Sequence, residues 1–203
     1  TNYNHKWVTI INLDGEKQRI FIKETQIVYG DTDSIFVLYV IEDESGKPIY
    51  NREAVKASID ISLQVESNIK KKLGYPHKLE YEKTFWPFIL FSKKRYAGDK
   101  YEFDAYKKKQ TSMGLVTKRR DNAKIVKYVF GGILNIIMGE LNINKSIDFL
   151  QRCIRDILNG KFKFDKFIIT KNLKAYYKEP EQIAHRVLAN RMGERDPGNK
   201  PKS

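Results

Sequence analysis

The chain is poor in the residues that staple, anchor or chelate. Its one cysteine in 203 residues, Cys153, excludes an internal disulfide. That thiol falls in an apolar-periodic stretch, where a buried structural role is expected. The three histidines, His5, His77 and His185, lie too far apart in sequence to suggest a zinc-binding motif. No run of about eighteen apolar residues occurs, which argues against a membrane-spanning helix. The opening Thr1-Asn2-Tyr3-Asn4-His5-Lys6 has neither the basic start nor the apolar stretch of a signal peptide. The expectation is a soluble, intracellular protein with no membrane partner.

What is present is an ordinary apolar share, 41%, which is enough for one good core or two small ones, and an uneven charge. The net charge is +13. From Thr1 to Phe91 there are 12 Lys and Arg against 13 Asp and Glu, whereas from Ser92 to Ser203 there are 26 against 12. The basic surplus therefore belongs to the second part. Such an excess suits a polyanion, because each cation that neutralises a phosphate releases condensed counterions. A solvated basic surface would look the same in composition alone.

Along the chain, Trp7–Ile11 and Arg19–Ile22 read as two short strands joined by a turn at Asp14-Gly15. Strand-forming residues then flank Gly30-Asp31-Thr32-Asp33. Because Ile27, Val28, Ile35, Phe36, Val37, Leu38 and Val40 make both faces apolar, a buried hairpin in the middle of a sheet is expected. The fourfold spacing of Val55, Ile59 and Leu63, and of Val65, Ile69 and Leu73, predicts a helix over residues 51–73 that covers one sheet face. Lys78–Phe91 alternates Leu79 and Tyr81 with Glu80 and Glu82, which predicts a strand carrying carboxylates on one side. From about residue 121 the pattern turns helical, with stripes at Ile125, Val129, Ile133 and Ile137 and at Ile147, Leu150, Ile154 and Leu158. The tail from Asp196 lacks periodicity.

Two aspartates separated by one residue at the tip of an apolar hairpin repel one another and call for a cation. Mg²⁺ suits them, since it takes one or two carboxylates and completes its shell with phosphates and water. An ordinary turn, in which Asp31 or Asp33 bonds to nearby amides, is the alternative for the doublet in isolation.

The surrounding residues decide between these. Tyr29-Gly30-Asp31-Thr32-Asp33-Ser34 resembles the third conserved polymerase motif of family B DNA polymerases. Leu79-Glu80-Tyr81-Glu82-Lys83 and Ser92-Lys93-Lys94-Arg95-Tyr96-Ala97-Gly98 resemble the family's following strand and its primer-binding segment. Gly114–Asn122, with Arg119-Arg120-Asp121-Asn122, is similar to the start of the thumb, and Gln182–Gly198 to the thumb's last conserved stretch. Residues 83–88 and 113–122 have the flavour of the eukaryote-like polymerases of large DNA viruses.

The resemblance implies an α+β fold: an antiparallel palm sheet with a catalytic hairpin and covering helices, followed by a mainly helical thumb. Residues 1–25 are unassigned, 26–118 are part of the palm and 119–203 part of the thumb. It also implies two Mg²⁺ ions, with Asp33 the stronger ligand and Asp31 assisting or holding the hairpin. Glu80 and Glu82 are secondary acidic candidates. Lys93, Lys94, Arg95 and Tyr96 are expected to grip primer-template DNA, Lys94 through minor-groove acceptors that all base pairs share. Arg119 and Arg120 are expected to contact phosphate. Lys107, Lys108 and Lys109 read as a solvent-facing loop. Deoxynucleoside triphosphates are the other substrate, and a sliding clamp is an additional partner to consider.

The family's upstream aspartate motif and its nucleotide-binding helix are not recognisable, so the chain is expected to be a fragment and inactive by itself. A non-catalytic nucleic-acid-binding fragment is the competing reading. Another palm-like enzyme, such as a reverse transcriptase or nucleotide cyclase, lacks the Lys-Lys-Arg-Tyr segment. The host compartment, nucleus or a cytoplasmic viral replication site, stays open at this point.

Overall fold

In a computed structural model the chain is described over residues 3–118 and 121–199. It divides into two compact units, Thr1–Leu115 and Val116–Ser203. The first holds two three-stranded antiparallel sheets and one long helix, and the second is helical. The architecture is α+β.

The first sheet runs in the order β1 (Lys6–Ile11), β2 (Lys17–Asp31) and β3 (Ser34–Glu42). Gly15 closes the β1–β2 turn at a φ of 85°, a region open to glycine at little cost. The Asn12 side-chain oxygen there accepts from the backbone N–H groups of Asp14 and Glu16. Period-two alternation sends Val8, Ile10, Ile20, Ile22 and Ile41 to one face, where they are buried.

The helix α1 (Asn51–Lys70) packs its Ala57 and Ile61 on that face. Its Val55 and Ile59 turn to a second cluster with Tyr101 and Ala105. The helix thus carries two apolar stripes and serves two cores, where the fourfold spacing predicted cover for one face. It also tethers β1: the Asp60 carboxylate accepts from the Ile11 N–H at 2.8 Å and Gln64 donates to the Thr9 carbonyl at 2.8 Å, occupying backbone groups of an otherwise open edge.

The second sheet is β4 (Thr84–Ser92), β5 (Arg95–Tyr101) and β6 (Lys108–Met113). Five rings join the two hairpins. Phe36 on β3 lies 5.3 Å from Tyr29, 6.0 Å from Phe85, 5.4 Å from Phe88 and 5.5 Å from Tyr96, centroid to centroid. Offset or edgewise ring pairs of this kind add about 0.5–1.5 kcal/mol each beyond area burial.

Three expectations need correction. The expected single sheet is two sheets, with one helix rather than several packed on them. The β2–β3 hairpin does not lie mid-sheet: β3 is an edge strand, and Ile27, Val28, Ile35 and Leu38 are 70, 44, 49 and 47% exposed. Apolar residues on both faces signal that both are to be covered, but not that a 203-residue chain supplies the cover. Finally, residues 78–83 are not a strand; β4 begins at Thr84. The predicted alternation nevertheless survives, with Leu79 and Tyr81 half-buried and Glu80 and Glu82 exposed.

In the second unit, α2 (Lys124–Glu140) and α3 (Ile143–Leu158) are joined by Leu141 and Asn142. Leu141 takes a left-handed φ of 52°, and the Asn142 side chain caps α3 by accepting from the Lys145 N–H. Gly132 lets the two helices approach, since a Cβ there would meet the Phe149 ring at 2.4 Å. Ile125, Leu134 and Met138 are the buried residues of α2, whereas Ile133 and Ile137 are half-buried. On α3 the buried residues are Ser146 and Cys153, while Ile147, Ile154 and Leu158 of the expected stripe are exposed. Cys153 is thus the buried thiol its surroundings predict, and burial raises its pKa. A further helix, α4, spans Ala184–Arg195.

Candidate active site at two hairpin tips

The site is built where two two-residue turns meet. In the first, Thr32-Asp33 links β2 to β3, with Asp31 paired to Ser34 in the ladder. Thr32 adopts φ 54°, and its hydroxyl donates to the Asp31 carboxylate at 3.2 Å. The Ser34 hydroxyl donates to the Asp31 carbonyl at 3.1 Å, closing the turn from the other side. In the second, Lys93-Lys94 links β4 to β5, with Ser92 paired to Arg95, and Lys94 adopts φ 61°.

Lys94 ties one tip to the other. Its ammonium donates to Asp31 Oδ1 at 2.5 Å, and its backbone N–H donates to the Tyr29 hydroxyl oxygen at 2.9 Å. The Lys94 ammonium beside Asp31 holds that carboxyl below the usual carboxylate range, helped by the Thr32 hydroxyl. In return Asp31 pushes the Lys94 ammonium up. Asp33 stands apart: it is exposed, and no described residue bonds to its carboxylate. Of two neighbouring carboxylates, one is thus neutralised by the protein and the other is left available.

The donor set fits a hard divalent cation that draws one or two carboxylates from the protein and the rest of its shell from water and phosphate. Among the described residues no group of three histidine, cysteine, aspartate or glutamate side chains comes together as a closed metal cage. Glu80 and Glu82 therefore do not join Asp31 and Asp33 in such a group. Glu82 pairs with Lys83 instead. Their segment is held by Tyr81, whose N–H donates to Glu66 on α1 at 2.8 Å and whose hydroxyl donates to the Glu102 carbonyl at 2.6 Å.

The remaining sequence-derived residues divide. Lys93, Lys94 and Arg95 are exposed, as groups that meet a polyanion need to be. Tyr96 is 9% exposed and its ring packs in the aromatic cluster next to the Lys93-Lys94 turn, in contact with Phe36 and Phe88. Gly30 continues the β2 ladder opposite Ile35. Arg119 and Arg120 lie outside the described residues. Two roles were not evident beforehand. Tyr29 supplies the hydroxyl that anchors the Lys94 turn, and Gly114 lies against the Lys94 carbonyl. The signal for the latter was its place at the head of the Gly114–Asn122 motif, which gave no hint of what it touches.

The segment read as a loop at Lys107–Lys109 is exposed, but Lys108 and Lys109 begin strand β6, paired with Tyr101 and Lys100 of β5, and two of the three lysines form ion pairs. Lys107 pairs with Asp104, and Lys108 with the buried Asp99 at 2.7 Å. Among the described residues no helix is long and apolar enough to cross a membrane.

The model of DNA polymerase family B matches residues 5–203. A DNA polymerase of Pyramimonas orientalis virus is 52% identical over 177 residues, which is 87% of this chain and 14% of that protein. One from Acanthamoeba polyphaga mimivirus is 40% identical over 201 residues, 99% of this chain and 12% of that protein. The DNA polymerase delta catalytic subunit of Caenorhabditis elegans is 32% identical over 212 residues, covering 100% of this chain and 18% of that protein. The chain thus spans between about one-eighth and one-fifth of the length of these curated relatives. The viral matches agree with the likeness carried by residues 83–88 and 113–122. A family match over nearly the whole chain, with the Asp31–Asp33 hairpin facing the Lys93-Lys94 turn, makes this chain a member of DNA polymerase family B.

Proposed function

We propose that the chain is the part of a replicative, template-directed DNA polymerase that holds the catalytic hairpin and the primer grip. In this reading residues 26–118 belong to the palm and 119–203 to the thumb, and 1–25 form a hairpin extension of the palm sheet. The observation that carries it is the tip-to-tip contact of Lys94 with Asp31, which sets a primer-binding turn beside an unengaged Asp33.

Asp33 is the principal ligand of a two-ion Mg²⁺ site, and Asp31 is the weaker ligand that fixes the hairpin. When bound, the two ions supply activation of the primer 3′-hydroxyl and neutralisation of the departing pyrophosphate. The chain's own residues supply placement. The aromatic cluster holds the two hairpins together, and the left-handed Thr32 and Lys94 set the two turns. Lys93, Lys94 and Arg95 meet the primer-template stem, Arg119 and Arg120 its phosphates further along. Glu80 and Glu82, exposed on an extended segment fixed by Tyr81, stay secondary acidic candidates, since they do not gather with Asp31 and Asp33.

Deoxynucleoside triphosphates and primer-template DNA are the substrates. A sliding clamp would act on the whole enzyme, at an intracellular site, nuclear or viral. The open β3 edge and the exposed Ile27, Val28, Ile35 and Leu38 support the view that further chain completes this palm. The fragment alone is therefore expected to be inactive.

The test is Mg²⁺-dependent primer extension by the full-length polypeptide, wild type against Asp33→Asn, at equal primer-template occupancy. Loss of extension with retained binding is expected. If Asp33→Asn extends like the wild type, the chain is a non-catalytic nucleic-acid-binding part.

A further inference from the structure

Four described glycines adopt positive φ: Gly15, Gly46, Gly114 and Gly160. At three of them a Cβ would meet nothing within 4 Å, so only the backbone conformation asks for glycine. Gly114 is different. At φ 65°, a Cβ there would lie 2.2 Å from the Lys94 carbonyl oxygen, 3.2 Å from the Lys94 carbonyl carbon and 3.1 Å from Arg95 Cγ. The nearest contact is with backbone, which cannot rotate away as the end of a side chain can.

The reason lies in the register. Met113, the last residue of β6, pairs with Tyr96 near the start of β5, so the next residue falls beside the Lys93-Lys94 turn. That turn is fixed from three sides: the Lys94 N–H meets the Tyr29 hydroxyl, the Lys94 ammonium meets Asp31, and the Lys94 carbonyl rests against Gly114.

We propose that Gly114 is a positioning residue for the primer-gripping turn: the absence of a side chain at this point lets Lys94 close onto Tyr29 and Asp31. The inference rests on the polymerase reading and deepens it. It gives a residue outside both turns control over where Lys94 presents its ammonium. Gly114→Ala forces the Lys94 carbonyl outward and with it the N–H and ammonium on either side. Because Lys94 also pairs with Asp31, the change disturbs that carboxylate as well as the way the turn meets the primer stem; Asp33 has no contact with Lys94 and keeps its place, so the larger effect falls on KM for primer-template. Loss of one charge-assisted hydrogen bond to the primer stem corresponds to about a 10- to 100-fold loss of affinity.

The experiment compares wild type, Gly114→Ala, Gly46→Ala and Tyr29→Phe in the full-length polypeptide. Hydrogen–deuterium exchange is followed in peptides covering residues 92–96, and primer extension is resolved into kcat and KM. Gly46→Ala carries the same left-handed strain in open space and is expected to match the wild type on both readouts. Gly114→Ala is expected to speed exchange at 92–96 and raise KM for primer-template by about 10- to 100-fold, with kcat less affected. Tyr29→Phe removes the hydroxyl without adding volume, and is expected to loosen the same peptides should Gly114→Ala fail to fold.

Wild-type exchange at 92–96 in Gly114→Ala, or in Tyr29→Phe if that variant alone is folded, overturns the proposal. So does loosened exchange with an unchanged KM. Either result leaves the Asp33→Asn test of polymerase function untouched.

Discussion

At the scale of single residues, the division of labour between Asp31 and Asp33 is electrostatic. Asp31 has its cation already in Lys94, and its carboxyl is held low by it. Because the folded pKa lies below the unfolded one, what the contact adds to stability is present above the unfolded carboxylate range and disappears as pH falls through the folded value. The Lys94 side has the opposite sign: its raised pKa contributes below the ordinary lysine range and is lost as pH rises through the folded value. Across neutral pH both are satisfied. Lys94→Met is therefore expected to move the Asp31 titration midpoint upward, measured by carboxyl carbon NMR on selectively labelled protein; an unmoved midpoint would show that Lys94 is not its partner. A second prediction concerns Asp99, which is buried beside Lys108. Lys108→Met leaves that carboxylate short of its ammonium and is expected to lower stability by about 1–3 kcal/mol in urea unfolding near pH 7. The Asp31–Asp33 doublet and the Lys93–Arg95 cluster were singled out through the resemblance of the residues around them, since each by itself fits an ordinary turn or a solvated surface equally well. The pairing of Lys94 with Asp31 was not legible in sequence, because 63 residues separate them.

At the scale of elements, the joint between the hairpins is the Phe36 cluster. Phe36→Ala removes the ring that touches Tyr29, Phe85, Phe88 and Tyr96 at once, and a loss of about 3 kcal/mol is expected because the ring is half-buried. Phe36→Leu is expected to recover part of it, and equilibrium unfolding distinguishes the two. Several elements were readable beforehand. The Gly15 turn, the helix from Asn51 and the helical pattern near residue 121 follow from local chemistry, and local chemistry is what a sequence displays. The rest depends on partners distant in the chain. Four apolar positions on α3 looked like a buried stripe, yet Ile147, Ile154 and Leu158 are exposed while Ser146 and Cys153 are buried, because α2 packs one step around the helix from them. Similarly, Glu80 and Glu82 alternate with Leu79 and Tyr81 without a strand. Tyr81 holds the extended segment through α1 and the Glu102 carbonyl instead of through a ladder.

At the scale of the whole molecule, the uneven charge and the proposed function belong together. The surplus of 26 Lys and Arg against 12 Asp and Glu from Ser92 onward suits the phosphates of the proposed primer-template partner. Binding of primer-template DNA is expected to weaken steeply with added salt, as the logarithm of affinity falls linearly with the logarithm of salt concentration. A flat response would separate the basic surplus from DNA binding. The most direct test of the central claim, that the two turns build a divalent-metal site, is localised cleavage by Fe²⁺ substituted for Mg²⁺ in the full-length polypeptide, with ascorbate and peroxide. Cuts beside Asp31–Asp33 and the facing Lys93-Lys94 turn, suppressed by excess Mg²⁺ and abolished by Asp33→Asn, are the predicted result. Cuts confined to other segments, or an unchanged pattern in Asp33→Asn, would contradict it.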